Sequence, residues 1–185
     1  ILYIGFSSGL STTYQSGCIA AAELREKYPE RTILTVDSLC ASLGQGLLVH
    51  HAVQKKNAGA SIEELAQYLE DNKLHLCHWF TVEDLKFLHR GGRVSAATAV
   101  VGSALQIKPV MHCDNEGHLT NTGKVRGRKH SLLALLDHAD QSWTPERGRK
   151  VFICHGDCLA DAQFMAQEFQ RRRPEAEITL FHMGP

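Results

Sequence analysis

Apolar residues run without a break from Ile1 to Phe6 and give way to a Ser/Gly-rich stretch. That is the pattern of a buried strand entering a turn. An Ala-rich segment from Ser11 to Tyr28 follows and stops before Pro29, which predicts a helix. Residues 33–38 form a second short apolar run ending in Asp37-Ser38, and a second helix is predicted from Ala41 to Asn57, ended near Gly59. Ser61 followed by Glu64 reads as a capping box that opens a third helix to Asn72. The order strand–helix–strand–helix argues for a parallel sheet with crossover helices.

The pattern changes after residue 72. Residues 74–81 alternate and predict a strand, and Thr81 is placed as the cap of a short helix over residues 82–90 that ends at Gly91-Gly92. A small-residue helix is predicted from Ser95 to Leu105. Residues 108–127 read as two strands around an Asn-Glu-Gly turn, a β-hairpin. A helix from Lys129 to Asp140 carries Leu132, Leu133, Leu135 and Leu136, and a polar linker from Ser142 to Arg149 follows. Residues 150–157 form a strand, residues 158–173 an amphipathic helix stopped by Pro174, and Glu177 to Phe181 a last strand. The expected organisation is a parallel βαβ subdomain over residues 1–78 and a second α/β subdomain with a β-hairpin over residues 79–185. Apolar strands at both ends of the sequence predict a fragment of a longer chain.

Composition narrows the function classes. Of 185 residues, 43% are hydrophobic and 22% charged, which fits a globular chain and excludes a disordered acidic tail. Twenty basic residues balance twenty acidic ones, so there is no cationic excess to neutralise phosphates and nucleic-acid binding is not expected. No apolar run approaches the ~18 residues of a membrane span. Eleven histidines make the charge sensitive to pH. Six scattered cysteines without a CxxC pair predict reduced, mostly structural thiols and a cytoplasmic setting.

Four segments are candidates for chemistry. Ser7-Ser8-Gly9-Leu10-Ser11-Thr12-Thr13 leaves a strand and opens a helix, where backbone N–H groups and the helix dipole favour a carboxylate or phosphate. It carries no nucleotide-binding fingerprint. Arg90-Gly91-Gly92-Arg93 places two cations around a flexible backbone, suited to binding an anion or to ending a helix. Lys124 to Lys129 holds four cations, Arg126 and Arg128 among them, and reads as a solvated turn or a patch for an acidic partner. His155 and His182 stand at predicted strand ends. The Cys154-His155-Gly156-Asp157-Cys158 run lacks the second ligand pair of a structural zinc site, so no metal is expected.

Together these segments resemble the DegV family of bacterial fatty-acid-binding proteins. The resemblance is carried by Ser7-Ser8-Gly9-Leu10-Ser11 with Thr13-Tyr14-Gln15-Ser16, by Val36-Asp37-Ser38 with Gly44-Gln45-Gly46, and by Phe80-Thr81-Val82-Glu83-Asp84-Leu85. It continues through Arg90-Gly91-Gly92-Arg93, Ile107-Lys108-Pro109-Val110, Lys124 to Lys129, His155-Gly156-Asp157 and His182-Met183-Gly184-Pro185. The order and spacing of these motifs are more specific than any one of them.

The resemblance implies a two-domain α/β fold with a long-chain fatty acid in an apolar tunnel between the domains. It implies that Ser8, with its neighbour Ser7, and His182 bind the carboxylate, with Arg90 and Arg93 near the head group. Arg126 and Arg128 become candidates for docking the separate fatty acid kinase subunit that phosphorylates the carboxylate. The chain would then be a carrier with no catalytic residue, cofactor or stable membrane anchor. Phe181 stands where the family usually has Thr, Thr12 stands where it has Gly, and its opening Asp-Ser strand and Thr-Ser turn lie upstream of residue 1. The competing enzyme reading is an acyl or phosphoryl transferase using Ser8 and a His.

Overall fold

A computed structural model describes residues 1–96, 98 and 106–184. The chain divides into two compact units, Ile1–His78 with Cys113–His118, and Trp79–His112 with Leu119–Pro185.

In the first unit, β1 (Leu2–Gly5) is followed by α1 (Thr13–Lys27), β2 (Leu34–Asp37), α2 (Ser42–Asn57) and α3 (Ile62–Asn72). β1 and β2 pair in parallel, Leu2 with Leu34 through Gly5 with Asp37. This is the expected βαβ unit, since a parallel pair needs a crossover such as α1. The core is built on Val36, Leu48, Ala52 and Leu69, with Leu2, Ile4, Tyr68 and Leu76 packed around them. α3 opens with the expected capping box: Ser61 Oγ accepts the Glu64 N–H at 3.1 Å and a Glu64 carboxylate oxygen accepts the Ser61 N–H at 2.8 Å.

The expected strand over residues 74–81 shrinks to two residues. Lys73–His75 forms a 3-10 turn instead, continuing α3, with Lys73 paired to Glu70 at 2.5 Å. Leu74 is exposed while Leu76 packs on the core. The alternation of these two leucines therefore does not mark one face of a strand.

In the second unit, β3 (Trp79–Phe80) pairs antiparallel with β4 (Ile107–Cys113), Trp79 opposite His112 and Phe80 opposite Met111. β5 (Leu119–Arg126) completes a sheet of order β3-β4-β5. A turn this short joins β4 to β5 only as a hairpin, as expected. Thr81 does not cap a helix: its hydroxyl donates to the Pro109 carbonyl at 2.7 Å, tying the end of β3 to β4. The helix starts later, as α4 (Lys86–Arg90), where the Asp84 carboxylate accepts the Lys86 N–H at 2.8 Å. That bond holds the Asp84 carboxyl below its usual range. The small-residue helix expected from residue 95 to 105 falls largely outside the described residues.

The rest of this unit is α5 (Arg128–Gln141), β6 (Lys150–His155), α6 (Leu159–Arg172) and β7 (Glu177–His182). β6 and β7 pair in parallel, Lys150 with Glu177 through His155 with His182. Leu136, Phe169 and Ala176 form the core between these elements, with Trp143, Val151, Met165 and Ile178 against it. Arg172 and Arg173 of the α6 end reach Asp137 and Asp140 of α5 at 2.7 and 2.6 Å.

Candidate functional site

The residues singled out by sequence fall on both units, Ser7 and Ser8 on the first and the others on the second. Each group is built locally.

Ser7 is fully buried just past the C-terminal end of β1. Its N–H donates to the Cys40 carbonyl at 3.0 Å, and its carbonyl accepts the N–H groups of Leu10 and Ser11, each at 3.1 Å. Its hydroxyl donates to the Gly117 carbonyl at 2.8 Å and accepts the Gly9 N–H at 3.2 Å. A hydroxyl has one proton to donate, so Ser7 is committed to shaping this turn. Gly117 has φ +78°, and a Cβ there would lie 2.1 Å from Ser7 Oγ. The turn is held from below by Asp114, whose Oδ1 accepts the N–H groups of Glu116 and His118 at 3.0 and 2.9 Å.

Ser8 is exposed, and its hydroxyl has no hydrogen-bond partner among the described residues. Its N–H points at the Asp37 carboxylate, 3.2 and 3.3 Å from the two oxygens, and Oδ1 also accepts the Leu39 N–H at 3.1 Å. The sequence predicts an anion site lined by backbone N–H groups at this turn. Asp37 instead takes the Ser8 and Leu39 donors, leaving the Ser8 hydroxyl as the free donor. Asp37 is visible in the sequence only as the end of a strand; its paired register with Gly5 is what brings it beside the turn. Ligands of open α/β sheets bind at such carboxyl ends of parallel strands. Burial pushes the Cys40 thiol up to about 12 and Cys113 up to about 11, so neither is a nucleophile at neutral pH.

On the second unit, His182 ends β7 opposite His155 of β6. Their ring centroids are 5.1 Å apart and the planes meet at 82°. His182 Nδ1 lies 2.9 Å from the Met183 carbonyl oxygen; a carbonyl only accepts, so Nδ1 carries the proton. His155 Nδ1 accepts the Cys158 N–H at 3.3 Å.

Arg90 and Arg93 flank the end of α4. The Arg93 N–H bonds the Leu88 carbonyl at 2.9 Å and the Gly92 N–H bonds His89 at 2.8 Å, with Gly92 at φ +75°. This is a Schellman cap. Both side chains project from it: the Arg90 guanidinium lies 5.8 Å from the ring centroid of exposed Phe87, and Arg93 reaches the Gly91 carbonyl.

Arg126 is exposed at the end of β5. Arg128 is half-buried and engaged, its Nε 2.7 Å from Asp161 Oδ2. Arg128 lines a groove of about 350 Å³ with Lys129, Leu132, Asp161 and Phe164. Among the described residues, no group of three or more His, Cys, Asp or Glu is placed to hold a metal ion, and no helix is long and apolar enough to cross a membrane.

The model of the family described as "Uncharacterised protein, DegV family" matches residues 1–185. A DegV domain-containing protein of Clostridium perfringens is 44% identical over 184 residues, covering 100% of this chain and 63% of that protein. The crystal structure of DegV, a fatty acid binding protein from Bacillus subtilis, is 28% identical with a TM-score of 0.78, over 98% of this chain and 63% of that one. The fatty acid kinase (Fak) B3 protein of Streptococcus pneumoniae, loaded with linoleic acid, shares the fold at a TM-score of 0.90 and 23% identity, over 98% of this chain and 64% of that one. The chain thus spans somewhat less than two thirds of the length of these relatives. With the whole of its length matched and 44% identity to a DegV domain-containing protein, the chain belongs to the DegV family.

Proposed function

We propose that this protein binds a long-chain fatty acid and carries it, in the cytoplasm, to a separate kinase. The Ser8 hydroxyl and His182 hold the carboxylate, with Arg90 and Arg93 near the head group, and the acyl chain lies in an apolar tunnel between the two domains. Ser7 acts through the shape of the turn. The observation that carries this reading is the exposed, unpartnered Ser8 hydroxyl at the carboxyl end of β1, in a family whose Bacillus subtilis relative is a fatty acid binding protein. Each buried CH₂ of a tail contributes about 0.8 kcal/mol, so a long chain binds tightly without covalent chemistry. Arg126 and the groove beside Arg128 are the surface we assign to the kinase, and salt should weaken that association.

Extraction of the purified full-length protein under denaturing conditions, followed by mass spectrometry, should release a fatty acid. Protein that neither carries nor takes up a fatty acid overturns the reading. Ser8→Ala should weaken binding by about tenfold, the loss of one charge-assisted hydrogen bond. Unchanged affinity would remove Ser8 from the site.

A further inference from the structure

We infer that His155 is a positioning residue for His182, holding the head-group imidazole in one orientation and one tautomer. This rests on the reading of His182 as a carboxylate ligand.

Strand register brings the two rings together. β6 and β7 pair so that His155 and His182 lie opposite each other at the last rung of a parallel ladder. Directly paired residues project to the same side of a sheet, so the two rings meet, edge to face, with centroids 5.1 Å apart. The ladder continues one step further, the Met183 N–H donating to the His155 carbonyl at 2.9 Å. That bond fixes residue 183, whose own carbonyl receives the His182 Nδ1 proton at 2.9 Å. His155 thus acts on His182 twice, through its ring and through its backbone.

His155 is itself anchored. Its Nδ1 accepts the Cys158 N–H at 3.3 Å, within the turn that leads into α6. Cys158 in turn lies 3.8 Å, through Sγ, from Arg128 Nη2, and Arg128 is tied to Asp161 of α6. With Nδ1 accepting, the neutral ring carries its proton on Nε2. The two imidazoles therefore have opposite assignments, Nδ1 bare in His155 and protonated in His182. An edge-to-face aromatic contact is directional, so removing the His155 ring takes away the packing that limits χ1 and χ2 of His182 and leaves only the Met183 hydrogen bond to orient it.

The test is long-range ¹H–¹⁵N correlation of the full-length protein labelled at histidine, ligand-free, with His182→Gln used to assign the His182 signals. Wild type should show the Nδ1-protonated pattern for His182. In His155→Ala, and in His155→Leu, which keeps bulk on the strand without an aromatic edge, that pattern should collapse toward averaged tautomers. Fatty acid affinity should drop by about tenfold alongside, as for the loss of one hydrogen bond to a charged group. His155→Phe keeps a ring and should retain the wild-type His182 pattern. A His182 pattern that is the same in the Ala and Leu variants as in wild type overturns the inference. So does a Phe variant as disordered at His182 as the Leu variant. The spectra are read without ligand. Failure of the wild type to bind fatty acid would strike the proposed function, while leaving the positioning result to stand or fall on the tautomer pattern.

Discussion

Gly117→Ala should destabilise the first unit by about 3–5 kcal/mol, enough to remove a large part of the stability of an ordinary domain. Two effects add. Gly117 sits at φ +78°, a conformation that costs an L side chain roughly 1–3 kcal/mol. The new Cβ would also lie 2.1 Å from Ser7 Oγ and 3.1 Å from Leu39 Cα. Leu39 Cα is backbone and cannot step aside, so the turn must move and the Ser7 hydroxyl loses its acceptor. A buried hydroxyl left without a partner costs about 1–3 kcal/mol more. Urea unfolding followed by circular dichroism measures the loss. Ser7→Ala alone should cost about 1–2 kcal/mol. The double variant should cost less than the sum of the two, because an alanine at position 7 has no Oγ for the new methyl to meet. Strict additivity would mean that the Ser7–Gly117 contact is not the source of the strain.

Phe169→Ala should cost the second unit about 3–5 kcal/mol through the cavity it leaves. Phe169 is 2% exposed and joins Leu136 and Ala176 in the core. Trp143 packs its ring edge-on against it, centroids 5.4 Å apart at 80°. Trp143 is held from its other end, where Nε1 donates to Glu175 at 2.7 Å, so it cannot swing in to refill the space. Phe169→Leu keeps most of the volume and should cost much less, about 1 kcal/mol. Trp143 emission reports the change directly once Trp79, the other of the chain's two tryptophans, is replaced by Phe. Equal losses for the Leu and Ala variants would show that packing volume at this position does not set stability.

The elements legible in the sequence are those whose signals are local. The Ser61–Glu64 capping box, the Pro29 and Pro174 stops and the short apolar runs of β1 and β2 all act within a few residues, and the helices and strands form where those signals lie. A local pattern misleads where a distant partner overrules it. Thr81 resembles a helix cap but bonds Pro109, 28 residues away. Leu74 and Leu76 alternate, yet one faces solvent and the other the core. The same holds at the candidate site. Ser7 and Ser8 look equivalent in sequence, yet Ser7 is buried and bonded to Gly9 N–H and to the Gly117 carbonyl that the 114–118 turn brings up, while the exposed Ser8 hydroxyl is left free. No spacing rule pairs His155 with His182 along the chain; the register of β6 on β7 does.

The Ser7–Gly117 hydrogen bond spans a sequence separation of 110 residues, and this sets an order of events during synthesis. The first unit is not continuous: it takes Cys113–His118 from beyond the start of the second. A nascent chain that has emerged only as far as His78 lacks the partner of the buried Ser7 hydroxyl. At about 5–20 residues per second, the ribosome takes about 5–20 s to deliver Gly117 after Ser7. Throughout that interval β1 and β2 carry an unfinished turn at their carboxyl ends. Non-local contacts of this kind slow folding because loop closure precedes any reward. The end of the protein that holds Ser8 is thus completed late, after part of the neighbouring unit has been made.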